Sequence, residues 1–225
     1  ELFSKERKLG FKRKKQSYMK TIVVKEGSRD IINEAFRVLR SNMDFMAGKD
    51  KGQNVFVLTS FNPGSGKSFL TMNIAMSFAI KKKRILVIDG DLRHGSVSSY
   101  VDSPRIGLSD YLGNRVENWK EIIVADKKYD NLHILPIGTV PPNPTELLED
   151  GKLATLIGAL RGEYDYIFID CPPIDIVADA QIIEKLADRT IFVVRSGLLD
   201  RGMLPELENI YQEKRFRNLS VILNG

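Results

Sequence analysis

"NVFVLTSFNPGSGKSFLTMNIAMSFAIKK" (residues 54–82) decides how the chain is read. An apolar run ends at Ser60, a glycine-rich turn follows, and a helical pattern opens at Lys67. That order turns successive backbone N–H groups and a helix N-terminus toward one point, where an anion is favoured. Gly64 and Gly66 permit backbone angles and a close approach that a side chain would obstruct. Pro63, Gly64, Ser65, Gly66, Lys67, Ser68 and Phe69 therefore form the candidate phosphate cradle. Lys67 supplies charge for the β- and γ-phosphates, and the Ser68 hydroxyl can join a magnesium shell. The common form of this loop has another glycine five positions before Gly66, where this chain has Phe61.

Outward from this stretch, strand-like and helix-like patterns alternate. "RILVIDG", "NLHILPIG", "YDYIFID", "RTIFVV" and "LSVILN" read as strands, and "TIVV" (Thr21–Val24) as a short one. "GLSDYL", "ATLIGALRGEY", "ADAQIIEKLA" and "GMLPELENIYQEKRF" read as helices, and "VPPNPTELLEDG" as a rigid loop feeding a helix after Pro144. "KSFLTMNIAMSFAIKK" reads as a helix that buries one face. Upstream, Ile31, Ile32, Ala35, Phe36, Leu39, Met43 and Met46 recur at helical spacing, with Ser28 as N-cap and Gly48 as stop. Apolar runs without period-two alternation suit strands covered on both faces. Strands separated by helices need crossover connections and so a mostly parallel sheet. The expected fold is α/β and doubly wound, with helices on both faces.

The chain has 225 residues, a net charge of +5 and 43% hydrophobic residues, which is the composition of an ordinary globular domain. No stretch approaches the ~18 apolar residues of a membrane span. One cysteine, Cys171, and two histidines exclude an internal disulfide and a structural zinc site, in keeping with a reducing cytosol. Residues 1–20 carry eight basic side chains against two acidic ones, a tail suited to solvent, an anionic membrane surface or nucleic acid. No aromatic ladder accompanies it, which argues against nucleic acid. The chain starts without methionine and stops directly after an apolar run, so it reads as a piece of a longer protein.

Three aspartates sit at strand ends beside the cradle. Asp170 closes "YDYIFID", while Asp89 and Asp91 in "RILVIDGDLR" project from one edge two residues apart. Each alone reads equally well as a turn or helix cap. Together they point to nucleotide and magnesium, since ligands of open α/β sheets bind at the carboxyl edge.

These motifs resemble the P-loop ATPases with a second aspartate motif, here "IDGDLR". The group includes partition and division ATPases and the bacterial tyrosine kinases. Asn62 stands where partition-type ATPases have a second lysine. Glu34, Arg37 and Arg40 in "NEAFRVLRSNMDF" line one helix face, by themselves an ordinary solvated stripe. They are similar to the oligomerisation signature of the bacterial tyrosine kinases, the cytoplasmic domains of polysaccharide co-polymerases. "PPNPTELL" and "IDCPPI" are similar to segments of the same family, whose members also lack the first loop glycine.

The resemblance implies a P-loop kinase domain over 21–225 behind a juxtamembrane tail at 1–20, on the cytoplasmic face of the inner membrane. It implies ATP and Mg2+ as cofactors, with Ser68, Asp170 and Asp91 at the metal. Asp89 or Asp91 orients and deprotonates a tyrosine hydroxyl, Asp89 being favoured. Arg93 helps hold the site, contacts phosphate or makes only a surface ion pair, and Asn224 either reads adenine or forms a turn. The implied partners are further copies in a ring, the tyrosine-rich tails of neighbours, the transmembrane co-polymerase portion and a phosphatase, without nucleic acid. The seven tyrosines here are scattered, so the acceptor cluster is expected beyond the given chain. The competing reading is an ATP-hydrolysing assembly switch that phosphorylates no protein.

Overall fold

A computed structural model describes residues 21–47, 52–174 and 178–225. The expected tail at 1–20 and the expected stop at Gly48 lie outside the described residues. Seven strands form one sheet: β1 (Val55–Thr59), β2 (Ile85–Asp89), β3 (Val124–Ala125), β4 (Leu132–Leu135), β5 (Tyr166–Asp170), β6 (Arg189–Arg195) and β7 (Ser220–Asn224). Their order is β3-β4-β2-β5-β1-β6-β7, and every pairing is parallel except β3 with β4. The two-residue β3 was not legible, being too short for any period.

Alternate residues of the central strands feed two cores. Phe56, Leu58, Val87, Phe168 and Ile191 face one way, against α1 (Ile31–Ala47) and α2 (Lys67–Ala79). Val55, Val57, Leu86, Ile88, Ile167 and Ile169 face the other way. That second face is covered by α3 (Leu108–Leu112), α4 (Pro144–Glu149), α5 (Lys152–Leu160) and α6 (Asp179–Glu184). A third cluster joins Phe61 and Phe192 to Ile210 of α7 (Leu204–Gln212) and to Phe216. The doubly wound expectation holds.

Four local expectations change. The helix α2 is buried nearly all round, because α1 lies over the face that would otherwise meet solvent. "TIVV" forms no strand: Val23 and Val24 donate their backbone N–H groups to Asn73 Oδ1 of α2, at 2.7 and 3.2 Å. The side chain that caps α1 is Asp30, whose Oδ1 accepts from Asn33 N at 2.9 Å, while Ser28 Oγ only supports Asp30. The edge strand β7 leaves Val221 and Leu223 at 53% and 73% exposure, so its apolar run does not mean cover on both faces.

Candidate active site

The turn after β1 is held from within. Ser60 Oγ and Ser65 Oγ both donate to Asn62 O, at 2.8 and 2.7 Å, and Lys67 Nζ donates to Ser60 Oγ at 3.2 Å. Gly66 is the N-cap of α2 with φ +92°, a conformation L side chains rarely adopt. Phe61, the residue in place of the usual glycine, is 2% exposed and meets Phe192 edge-on, with ring centroids 4.8 Å apart. The altered opening is thus an anchor that ties the loop to the core. The Phe69 ring points away from the cradle to Phe36 of α1, leaving only its backbone for the loop.

Two ties reach the loop from the far side of the chain. Asn224 Nδ2 donates to Ser65 O at 2.9 Å, and Arg195 Nη1 donates to Gly64 O at 2.7 Å. The two residues are register partners across β6 and β7, so one sheet position delivers both. Within the chain, Asn224 braces the cradle.

Register also pairs Asp89 with Asp170 across β2 and β5. Gly90 fits between the strands because a Cβ there would come within 3.0 Å of the Asp170 carbonyl. Asp170 accepts from Ser68 Oγ at 2.5 Å and from Thr71 Oγ1 at 3.4 Å. Burial raises its pKa to about 6, against the lowering by Ser68 and Lys67. Asp89 is fully buried. Its Oδ2 takes both the N–H and the hydroxyl of Ser98, at 2.6 and 2.7 Å, while Oδ1 has no partner among the described residues. Burial and then the Asp170 charge push Asp89 up to about 8. Burial pulls the Lys67 ammonium down, and the charges of Asp170 and Asp91 oppose this.

Asp91 keeps 12% side-chain exposure and accepts from the backbone N–H of Arg93 and of His94. The His94 ring nitrogen Nδ1 lies 3.1 Å from both Asp91 oxygens. Arg93 Nε donates to the buried Asp179 at 3.1 Å, and Thr145 Oγ1 donates to the same carboxylate at 2.7 Å. Arg93 therefore ties the loop after β2 to α4 and α6. Of the helical stripe, Glu34 and Arg37 pair with each other, and Arg40 Nη1 donates to Ser77 O of α2 at 2.8 Å. His94, Ser60, Ser98, Arg195, Thr145 and Asp179 carry no sequence signal. Their partners lie in other segments or depend on one loop geometry.

The residues present fit a divalent cation. Two buried carboxylates side by side, one with an orphaned oxygen, favour a neutralising charge. Ser68 adds a hydroxyl. Among the described residues no three carboxylates, histidines or thiols form a metal cluster by themselves.

An anion cradle with a buried lysine, opening a helix beside carboxylates at the rim of a parallel sheet, defines a P-loop nucleotide-binding protein. The AAA domain family matches residues 53–199. The tyrosine-protein kinase CpsD of Streptococcus pneumoniae is 32% identical over 211 residues, covering 92% of this chain and 91% of that protein. The solved BceF tyrosine kinase domain superposes with a TM-score of 0.80 at 34% identity, over 95% of this chain and 86% of that one. The septum site-determining protein MinD of Pyrococcus horikoshii, solved with Mg-ADP, gives a TM-score of 0.63 at 25% identity, over 76% and 69%. The chain belongs to the bacterial tyrosine-protein kinase family.

Proposed function

We propose that this chain transfers the γ-phosphoryl group of ATP to protein tyrosines and thereby controls capsular or exopolysaccharide synthesis and export. The observation that carries the reading is the join of Lys67, Ser68 and Asp170: a buried ammonium and a hydroxyl–carboxylate pair at the mouth of one amide cradle. Phosphoryl transfer needs positioning and charge neutralisation more than covalent help. The loop amides from Gly64 to Phe69 and Lys67 hold the phosphates. Ser68 and Asp170 would hold magnesium, with Asp89 and Asp91 beside them, and the bound ion would supply neutralisation of developing phosphate charge.

A tyrosine hydroxyl, with a reference pKa of ~10, benefits from a carboxylate at the moment of attack. The family resemblance favours Asp89 for this step, whereas burial argues for Asp91. Asp89 is sealed behind Ser98 and raised to about 8, while Asp91 is partly open and backed by His94. Of the described tyrosines, Tyr111, Tyr129, Tyr164 and Tyr166 are buried and Tyr100 is half-buried, which leaves only Tyr211 exposed and favours acceptors on a segment outside this fold.

The outer face of α1 supports assembly into a ring of copies. Ile31, Val38 and Phe45 recur every seven residues with 87%, 60% and 69% exposure, beside the exposed Glu34 and half-buried Arg37. Among the described residues no helix is long and apolar enough to cross a membrane. We place the domain at the cytoplasmic face of the inner membrane beside a co-polymerase partner, with a phosphatase reversing its action.

Incubation with ATP, Mg2+ and a tyrosine-rich peptide tests the reading. Phosphotyrosine is expected, and hydrolysis without it would favour the assembly switch. Lys67→Met should abolish transfer while circular dichroism stays unchanged, since the described bond of Nζ is to Ser60 alone.

A further inference from the structure

At the opposite edge of the sheet, below the first residues of β6 and β7, lies a cavity of about 740 Å3. Arg189, Lys214 and Arg217 line it, together with the rings of Tyr211 and Phe216, and no described carboxylate does. None of the three cations makes an ion pair with a described carboxylate. Arg189 spends Nη2 on Met46 O and Gln53 Oε1, yet its Nε is buried without a partner. Arg217 makes a single long side-chain bond, 3.5 Å from Nη1 to Ala187 O. Three like charges around one concavity repel one another and focus a positive potential into it. Two of them are guanidinium groups, whose forked donors match phosphate oxygens.

The rest of the wall mixes two aromatic residues, Tyr211 and Phe216, with Gln212, Asn218, Leu219 and Ser220. Phe216 is buried into the cluster with Phe61 and Phe192, while Tyr211 stands 57% exposed at the rim. A lipid headgroup asks only for charge on an open face, whereas this concavity sets the exposed ring of Tyr211 beside its cations, a surface on which a flat side chain can stack. We propose that the cavity binds a phosphotyrosine side chain presented by another copy of the protein. The proposal rests on the kinase reading only for the source of the ligand. Product captured here, away from the catalytic rim, would hold a phosphorylated segment against the fold and keep it from the nucleotide edge.

The test is fluorescence anisotropy with a labelled glycine- and serine-flanked phosphotyrosine peptide. The same peptide carrying tyrosine or phosphoserine, and vesicles containing anionic lipid, are run beside it. Lys214 has φ +53°, so Lys214→Asn removes the charge with a residue that tolerates that backbone. Arg217→Gln removes the fork, and Arg217→Lys keeps only the charge. The expected result is binding of the phosphotyrosine peptide alone, weakened about tenfold by Lys214→Asn and by Arg217→Gln and less by Arg217→Lys. Lys67→Met should bind as the unaltered protein does, which separates this site from the catalytic one. Equal affinity for phosphoserine, indifference to both neutral variants, or loss of binding in Lys67→Met would overturn the proposal. Vesicle binding lost in the same variants without peptide binding would replace it with a membrane contact. Phosphotyrosine formation from ATP is measured separately, so failure of the kinase reading shows there and leaves the peptide result standing.

Discussion

Phe61 is 2% exposed, and its ring lies edge-on to Phe192 in the cluster that seats α7. Restoring the common loop pattern by Phe61→Gly should therefore harm the protein. Loss of a buried phenyl group costs about 3–5 kcal/mol, to be read as a fall in the denaturant midpoint. At the other end of the loop, Arg195 donates to Gly64 O and nothing else described holds that carbonyl. Arg195→Ala should raise KM for ATP several-fold with kcat nearly kept, and Arg195→Lys should recover part of the loss. A fall in kcat with KM unchanged would instead place Arg195 in the chemical step.

The helix α1 shows how one element serves two faces. Its inner side packs Phe36 and Met43 into the core, and Arg40 reaches the Ser77 carbonyl near the end of α2. Its outer side presents Ile31, Val38 and Phe45. Val38→Glu should lower the mass seen by light scattering without lowering Tm, since that side chain is 60% exposed. Arg40→Ala should cost about 1 kcal/mol of stability through the lost charged hydrogen bond, a modest value because the half-buried side chain is still partly screened by solvent. The helix itself was legible from its three- and four-residue spacing. The division of labour along its stripe was not, because Glu34, Arg37 and Arg40 look equivalent until α2 is packed beside them. "TIVV" misled for a related reason: its backbone donors go to one asparagine side chain instead of a neighbouring strand.

Across the whole molecule, the stacked strands bring Asp89 and Asp170 together, and this links global stability to pH. Asp89 rises from an ordinary 3.8 to about 8 and Asp170 to about 6, mainly through burial. Both are raised above their unfolded values, so folding takes up protons between those limits. Their contribution is complete below about pH 4 and is lost as pH climbs through about 6 and then 8. Thermal unfolding without nucleotide should show Tm falling across that window. Asp89→Asn should flatten the upper part and raise Tm at pH 8. Mg2+ with ATP should raise Tm of the unaltered protein most at the alkaline end, where both carboxylates are charged. A Tm that rises from pH 5 to 8 without nucleotide would show that these carboxyls do not govern the profile.

The sequence by itself determined the alternation of strands and helices, the cradle from Pro63 to Phe69, and the three aspartates at strand ends. Each of these is written in neighbouring residues, through periodicity, glycine placement or a lysine–serine pair. Only the tertiary structure decided that Phe61 is an anchor, that Asn224 braces Ser65 from the last strand, and that Ser98 seals Asp89 while Asp91 keeps a small exposed edge. Those outcomes depend on strand order and register, which place residues far apart in the chain within hydrogen-bonding reach.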